Sequence, residues 1–229
     1  MRALRILLVM VVVLGVVFIA VDRAAVYFAE SEVESRVEVT GATVGSTDVS
    51  IKGFPFLTQV AGSALDQVDI KLTGIEAAAG GHRIRISEMD AELRDVELAD
   101  GFSSATATRA TGTATISYED LTRAADDGVV VAYGGSGKVK VTGSVEVLGR
   151  TLKRSVISTV TLVDGHTVRV RADKVPGEGI PGLEGLVRGR TDFEREVGAL
   201  PSGLKLQRIE PTKDGLVISV TGSDIRLAG

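Results

Sequence analysis

The chain has no cysteine and no tryptophan among its 229 residues, and its nine aromatic residues are three tyrosines and six phenylalanines. The lack of cysteine excludes disulfides, a lipid-modified cysteine anchor, a catalytic thiol and a zinc site built on thiolates. The scarcity of aromatic side chains leaves valine, isoleucine, leucine and alanine to form the core. Such a protein is stabilised by its core and its hydrogen-bonded sheets alone.

Histidine is scarce as well, and the two present, His82 and His166, each follow a glycine at the start of an alternating segment. A metal site or a catalytic site needs further ligands or partners at suitable spacing, and none is evident. The nucleophile elbow, the phosphate-binding loop and the histidine–glutamate zinc motif are also missing. We therefore predict no catalytic residue, no metal site and no cofactor.

The net charge is −4, and without Arg2 and Arg5 the remaining 24 basic and 30 acidic residues give −6. A nucleic-acid-binding domain shows a basic footprint, so we predict no nucleic-acid partner. Cations do cluster on two adjacent predicted strands, at Lys138, Lys140, Arg150, Lys153 and Arg154. This cluster is either an ordinary solvated sheet face or a basic rim that meets anionic phospholipid headgroups.

An unbroken apolar run of 16 residues, from Ile6 to Val21, follows Arg2 and Arg5. Basic residues before an apolar segment mark the side retained in the cytoplasm. The run is slightly short for a transmembrane helix of about 17–25 residues and slightly long for a signal-peptide core of about 7–15. Poor cleavage signals after it favour an uncleaved anchor over a cleaved signal peptide. Either alternative places residues 22–229 outside the cytoplasmic membrane.

Residues 22–37 are predicted to continue this helix, because apolar residues recur at helical spacing at Val26, Ala29, Val33 and Val37. Acidic residues are expected mostly on the opposite side of the helix, at Glu30, Glu32 and Glu34. This part of the helix is predicted to lay one apolar stripe on the domain that follows.

From Val39 onward, apolar and polar residues alternate, which is typical of strands with one buried and one solvated face. Turn signals separate the runs into about nine to eleven strands, mostly antiparallel. Two helical interruptions are predicted, one capped by Ser117 and one over Leu183–Leu200. The fold class is therefore α+β. We expect one large, strongly curved antiparallel sheet that wraps one or two helices, in a single domain over residues 22–229.

The segment Gly53–Gln59, with sequence GFPFLTQ, places two aromatic residues on either side of a proline. Pro55 fixes its own φ and pushes Phe54 toward an extended conformation, and Gly53 permits a sharp bend. The segment is either a buried turn with both phenylalanines in the core or an apolar lip at the mouth of a lipid groove. Candidate lipid-contacting residues lie here and on the predicted second helix, at Phe54, Phe56, Leu57, Leu186, Val187 and Phe193.

The order of GFPFLTQ and a long run of alternating strands resembles an actinobacterial cell-envelope family, the LmeA-like proteins. Its best-described member type is the lipomannan elongation factor of mycobacteria. The resemblance covers essentially the whole chain after residue 21, through Ile116–Leu121, Leu200–Leu204 and Asp214–Leu216. It implies a phospholipid-binding envelope protein that supports elongation of lipomannan and lipoarabinomannan by holding or presenting a lipid.

The resemblance also implies partners and a location. The partners are an anionic phospholipid of the phosphatidylinositol type, the cell membrane and envelope glycosyltransferases. The location is the cell envelope, at the outer face of the cytoplasmic membrane in the periplasmic space. The alternative function is a structural domain that binds another envelope protein through a sheet edge. A hydrolase or transferase is disfavoured by the residue inventory.

Overall fold

The computed structural model of the protein describes residues 2–37, 42–79, 82–101, 103–125, 128–147, 150–175, 183–196, 200 and 202–227. In chain order the elements are α1 (Arg2–Arg36), β1 (Ala42–Thr43), β2 (Ser46–Lys52), α2 (Phe56–Ala61), β3 (Ala64–Ala79), β4 (His82–Ala99), β5 (Ser104–Ile116), α3 (Tyr118–Ala124), β6 (Val130–Gly135), β7 (Lys138–Val147), β8 (Arg150–Val163), β9 (Thr167–Ala172), α4 (Leu183–Thr191), β10 (Phe193–Glu196), β11 (Leu204–Pro211) and β12 (Leu216–Leu227). The α+β class with antiparallel sheets and few helices is confirmed.

The strands form two sheets rather than the one that was expected. The large sheet has seven strands in the order β1, β3, β4, β5, β12, β11, with β2 also paired to β3. The small sheet has five strands in the order β10, β9, β8, β7, β6. All the pairings are antiparallel, and β11 at one edge of the large sheet packs against β7 and β8 of the small sheet.

Helix α1 is one continuous helix of 35 residues, so the predicted continuation beyond the apolar run is confirmed. At about 1.5 Å per residue it is about 52 Å long. Its first half is exposed, and among the described residues this is the one helix long and apolar enough to cross a membrane. Its second half packs against β2 and α2.

The core of the large sheet lies on its apolar face, at the end where α1 and α2 pack. Buried residues of the sheet meet Val26 of α1 and Phe56 of α2 in one cluster. Within this cluster, apolar residues on neighbouring strands are three apart instead of two, in the pairs Leu65/Val68, Leu93/Val96 and Ala107/Ala110. Asp95, between the second pair, has a φ of 50°. Local irregularities of this kind bend strands, and they interrupt the simple alternation that the sequence predicts.

The small sheet has its own buried cluster, formed by Val139, Val141, Val156, Val170, Ala172 and Val175. Helix α3 lies between the two sheets in the chain and packs against both β4 and β6. Its predicted cap is confirmed, because the Ser117 hydroxyl accepts a hydrogen bond from the backbone N–H of Asp120 at 3.1 Å. The connection between the sheets is therefore ordered by a local sequence signal.

The predicted helix over Leu183–Leu200 is wrong in its second half. Helix α4 ends at Thr191, and the next residues form β10, which pairs with β9. The Asp192 carboxylate accepts a hydrogen bond from the backbone N–H of Ala172 at 2.9 Å, next to the end of β9. This contact turns the chain out of the helix, and the following residues then extend the small sheet by one strand. The helix that packs on the large sheet is the second half of α1, whereas α4 packs on β7 and β9.

Candidate functional site

The GFPFLTQ segment connects the edge strand β2 to the short helix α2. Gly53 has a φ of 99°, and a Cβ at this position would lie 2.5 Å from the Gln59 side chain and 2.6 Å from the Asp66 carboxylate. Gln59 in turn accepts a hydrogen bond from the backbone N–H of Asp66 at 2.8 Å. The glycine and the glutamine therefore fix the bend together, since a side chain at position 53 would displace the glutamine.

Helix α2 is capped by a residue from α1. Its own N-cap residue is Pro55, which has no side-chain group to offer, and the Phe54–Pro55 peptide bond is cis. The carboxylate of Asp22 accepts a hydrogen bond from the backbone N–H of Leu57 at 2.9 Å and pairs with Arg23 at 2.7 Å. Asp22 is fully buried although it directly follows the apolar run. Its charge is thus satisfied by protein groups rather than by water.

Two further acidic residues of α1 bind the free edge of β2. Glu30 accepts a hydrogen bond from the backbone N–H of Ile51 at 2.7 Å, and Glu34 accepts one from Val49 at 3.0 Å. We call Asp22, Glu30 and Glu34 the acid clamp. Its members recur at multiples of four residues and therefore share one face of α1.

The predicted apolar stripe of α1 is confirmed at Val26, Ala29 and Val37, which pack in or against the core cluster, while Val33 is exposed. The placement of two acids is corrected, because Glu30 and Glu34 are expected mostly on the opposite side but both bind the domain. Glu32 does point away and pairs with Arg36 at 2.5 Å. The reason is that an edge strand presents unpaired N–H groups, which carboxylates satisfy better than apolar side chains do.

The structure separates the two phenylalanines of the motif. Phe56 is buried in the core cluster with Val26, and Leu57 is half-buried against the same cluster. Phe54 is 59% exposed, and its ring centroid lies 5.4 Å from the guanidinium carbon of Arg23. Phe56 therefore belongs to the core, as the buried-turn alternative predicts. Phe54 projects from the surface, and its place at the mouth of a lipid groove stays a prediction.

Two more exposed aromatic residues lie on α1, four and five residues beyond Arg23, whose guanidinium contacts Phe54. Tyr27 is 69% and Phe28 is 71% exposed, and their rings meet edge to face with centroids 5.9 Å apart. Tyr27 follows Arg23 by four residues, so both project from the same side of α1. We call Phe54, Tyr27 and Phe28 the aromatic rim. The sequence offered one signal for these residues, which is that aromatic residues are scarce and these are three of only nine in the chain.

The candidate residues of the second helix lie elsewhere. Leu186 and Val187 belong to α4, which packs on the small sheet, and Phe193 is 44% exposed on the edge strand β10. Phe54, Phe56 and Leu57 lie beside the large sheet. The structure thus divides the six predicted lipid-contacting residues between two regions, and the part played by each remains a prediction.

The apolar face of the large sheet continues beyond the core cluster as a strip of half-buried residues. We define this apolar strip by Ile70, Met89, Ala91, Ala114, Ile218 and Val220. It lies between the cluster under α1 and α2 and a second buried group at the other end of the same strands, at Leu72, Ile116 and Leu216. An apolar surface that the described protein covers only in part can accept an apolar ligand.

The opposite face of the large sheet carries a groove of about 450 Å³. Its lining includes the carboxylates and hydroxyls of Asp48, Asp69, Asp90, Glu92, Thr111, Thr113 and Ser219, and Ile70, Ala91 and Val220 of the strip also border it. The cation in its lining, Lys71, donates to Glu88 at 2.6 Å, which raises the pKa of Lys71 and lowers the pKa of Glu88. Asp69, Asp90 and Glu92 also form ion pairs, with Lys52, Lys71 and Arg94. Carboxylates still outnumber the single lysine in the lining, which disfavours a phosphate headgroup there.

The basic residues of the small sheet are only partly neutralised. Lys138 donates to Asp173 at 2.5 Å, and hydrogen bonds from Lys138 and Thr159 lower the pKa of that carboxyl group. Arg169 pairs with Glu194 across the strands. The remaining cations on this face are exposed, at Lys140, Lys153 and Arg171. The two alternatives of a solvated face and a headgroup-contacting rim both remain open.

The fold and the site define an α+β protein with a long apolar N-terminal helix and a sheet face that is apolar but only half-buried. In the described parts of the chain, no three His, Asp or Glu side chains come together as a metal site. A family model confirms the resemblance found in the sequence. The model of the LmeA-like phospholipid-binding family matches residues 20–221, and the chain belongs to this family. No curated protein and no solved structure matches the chain.

Proposed function

We propose that the protein is a membrane-anchored, extracytoplasmic phospholipid-binding protein that supports lipoglycan elongation by holding or presenting a lipid. Its membership of a phospholipid-binding family supports the ligand class. The apolar N-terminal helix supports the location at the outer face of the cytoplasmic membrane. Its ligand is an anionic lipid of the phosphatidylinositol type, and envelope glycosyltransferases receive it. The proposal contains no catalytic step.

Retention of the anchor is supported by the contacts that α1 makes with the rest of the chain. The small residues at which a signal peptidase could cut lie at Ala20 and at Ala24–Ala25. A cut after Ala24 or Ala25 would remove Asp22 and so leave the N-terminus of α2 without its cap. It would also leave Val26, a core residue, at a charged chain end.

The intact mass of the protein extracted from membranes tests whether the anchor is retained. We expect a mass that includes residues 1–21. A mature chain that begins between Asp22 and Tyr27 would show that the apolar run is a cleaved signal peptide. N-terminal sequencing of the same sample distinguishes cleavage at Ala20 from cleavage at Ala24–Ala25.

The observation that best supports a lipid site is the apolar strip. Its six side chains are apolar and only half-buried among the described residues, although they continue a well-packed core. Covering this surface with acyl chains contributes about 25 cal/mol for each Å² removed from water. Leu57 of the GFPFLTQ segment packs at the edge of the core cluster that the strip continues. We propose the strip as the acyl-chain site, with the headgroup toward the membrane end of α1.

Lipid extraction and mass spectrometry of the purified full-length protein test this site most directly. Val220→Asp places a charge in the strip, while Ser219→Asp places the same charge on the opposite face of the same strand. We expect Val220→Asp to lose most of its bound lipid per folded molecule and Ser219→Asp to keep it. Equal lipid content in the two variants would remove the strip as the site.

The same measurement tests three of the six residues predicted from the sequence. Phe54→Ser, Phe56→Ser and Phe193→Ser are compared, each scored for thermal unfolding and for bound phospholipid per folded molecule. Reduced binding with a near-normal melting temperature would assign that residue to the lipid site. Normal binding per folded molecule in all three variants would show that lipid binds without a contribution from these phenylalanines. A protein that carries no lipid at all would instead favour the structural alternative.

A further inference from the structure

The acid clamp makes α1 a rigid support for the large sheet. Its three carboxylates accept hydrogen bonds from backbone N–H groups of two separate segments, the edge of β2 and the start of α2. The N···O distances are 2.7 to 3.0 Å. The contacts extend over residues 22–34 of one unbroken helix, with no linker between the apolar run and the first clamp residue. An anchor of this kind sets the orientation of the sheet relative to the helix axis. A flexible tether would not.

The aromatic rim lies just beyond the end of the apolar run. The guanidinium of Arg23 contacts the ring of Phe54. Arg23 is two residues past Val21, or about 3 Å along the helix axis. Tyr27 and Phe28 are six and seven residues past Val21, or about 9–10 Å, and helical side chains lean back toward the N-terminus. The headgroup layer is about 5–8 Å thick on each side of the hydrocarbon, so a tilted helix places all three rings within or next to it.

We propose that Phe54, Tyr27 and Phe28 lie in the headgroup layer of the membrane that α1 crosses, so that the large sheet rests on the bilayer. This inference depends on the retained anchor of the proposed function. It goes further, because an anchored domain could equally stand away from the membrane. The surface that the rim recognises is the outer leaflet itself.

Three features favour the bilayer as the occupant of this surface. Tyr27 and Phe28 of the rim follow the apolar run on the same helix, and aromatic residues are enriched where membrane meets water. The 16-residue run is shorter than the roughly 20 residues that span the hydrocarbon, so the bilayer is drawn toward the residues that follow. The nearest acid, Asp22, is fully buried and paired, so it presents no free charge to the lipid.

The absence of tryptophan from the chain allows a direct test with the full-length protein in lipid vesicles. Phe54→Trp, Tyr27→Trp and Phe28→Trp each introduce one fluorophore into the rim. Val130→Trp is the matched control, because Val130 is similarly exposed but lies on β6 of the small sheet. The vesicles contain phosphatidylglycerol and phosphatidylcholine, with the quenching bromines placed either near the carbonyl end or near the tail of the acyl chains.

We expect the lipid brominated near the carbonyl to quench the rim tryptophans at least about twofold more than Trp at position 130, because interfacial aromatic side chains lie at that depth. Glu30→Ala combined with Glu34→Ala should bring the quenching at position 54 toward the control value. Quenching of all three rim positions equal to the control, in a chain that keeps residues 1–21, would overturn the inference and leave the proposed function intact. A blue-shifted emission without lipid quenching would assign the rim to a protein contact and also overturn it.

The failure of the inference can be separated from the failure of the proposed function. Loss of residues 1–21, seen in the intact mass, would overturn the anchor and the inference together. Loss of the difference in bound lipid between Val220→Asp and Ser219→Asp would overturn only the lipid site. The three rim positions are independent, so one poorly folding variant does not decide the result.

Discussion

The large and small sheets are built from the same kind of strand, with a branched aliphatic core and a polar outer face, yet they differ in their charges and in what covers them. The outer face of the large sheet is mixed in charge, because its carboxylates at Asp69, Asp90 and Glu92 pair with Lys52, Lys71 and Arg94. That of the small sheet is mainly basic, at Lys138, Lys140, Lys153, Arg169 and Arg171. The large sheet is held by the acid clamp of α1, whereas the small sheet is covered by the short α4.

This difference shows how one repeating pattern can serve two purposes. The large sheet provides the junction with the apolar helix and the apolar strip, so both proposed contacts with lipid fall on it. The small sheet packs against the far edge of the large sheet, at β11. Among the described residues, no substantial packing joins the small sheet to α1. We therefore expect substitutions in the large sheet to affect anchoring and lipid binding more than matched substitutions in the small sheet.

The largest expected effect distinguishes two phenylalanines. Phe56→Ala should lower the free energy of unfolding by about 3–5 kcal/mol, because it empties a buried position between α1 and the large sheet. Phe193→Ala, on the exposed edge of the small sheet, should cost less than about 1 kcal/mol. Denaturant unfolding of the detergent-solubilised chain measures both. Similar losses would mean that the two regions are packed more alike than the burial of these side chains indicates.

A second pair of variants compares the two cores directly. Val96 and Val141 are both almost completely buried, one in each sheet. Each Val→Ala change should cost about 2 kcal/mol, since two buried methyl groups are lost. If residues 22–229 form the single domain that the sequence predicts, both variants should shift one common transition. Two separate transitions, each moved by only one variant, would contradict that prediction.

The acid clamp should contribute a smaller amount that is specific to the large sheet. Glu30→Ala and Glu34→Ala should each cost about 1–2 kcal/mol, because each leaves a backbone N–H of β2 without its acceptor. Glu32→Ala is the control, because this exposed residue only pairs with Arg36 on the same helix and should cost less than about 0.5 kcal/mol. Thermal unfolding measures the three variants. A loss for Glu32→Ala as large as the other two would assign the effect to helix charge rather than to the clamp.

The smallest expected effect concerns the histidines. His166→Gln should leave envelope function unchanged, because His166 is an exposed turn residue whose Nδ1 lies 2.6 Å from the carbonyl oxygen of Asp164, a neighbour in the same turn. His82→Gln is expected to behave in the same way on the sequence argument alone. Complementation of a deletion strain measures both. Loss of envelope function at normal protein abundance would indicate an enzymatic role, at the small sheet for His166→Gln and at the large sheet for His82→Gln.

Much of the local structure could be predicted, because its causes are local. Period-two alternation predicts strands, and the Ser117 hydroxyl caps α3 within three residues of its own position. The continuous apolar run predicts α1. The end of α4 could not be predicted in the same way, because the contact that stops it joins Asp192 to Ala172, twenty residues away.

The sequence by itself determined the α+β class, the apolar N-terminal helix, the absence of thiol chemistry and the family. Only the tertiary structure decided that the strands divide into two sheets, because alternation specifies which face is apolar but not which strands pair. It also decided that Asp22 caps α2 across 35 residues, that Glu30 and Glu34 bind β2, and that Phe56 is buried while Phe54 is exposed. The three carboxylate hydrogen bonds depend on backbone N–H groups that distant segments leave unpaired, and the burial of Phe56 depends on packing against residues far along the chain. A linear pattern of side chains records neither.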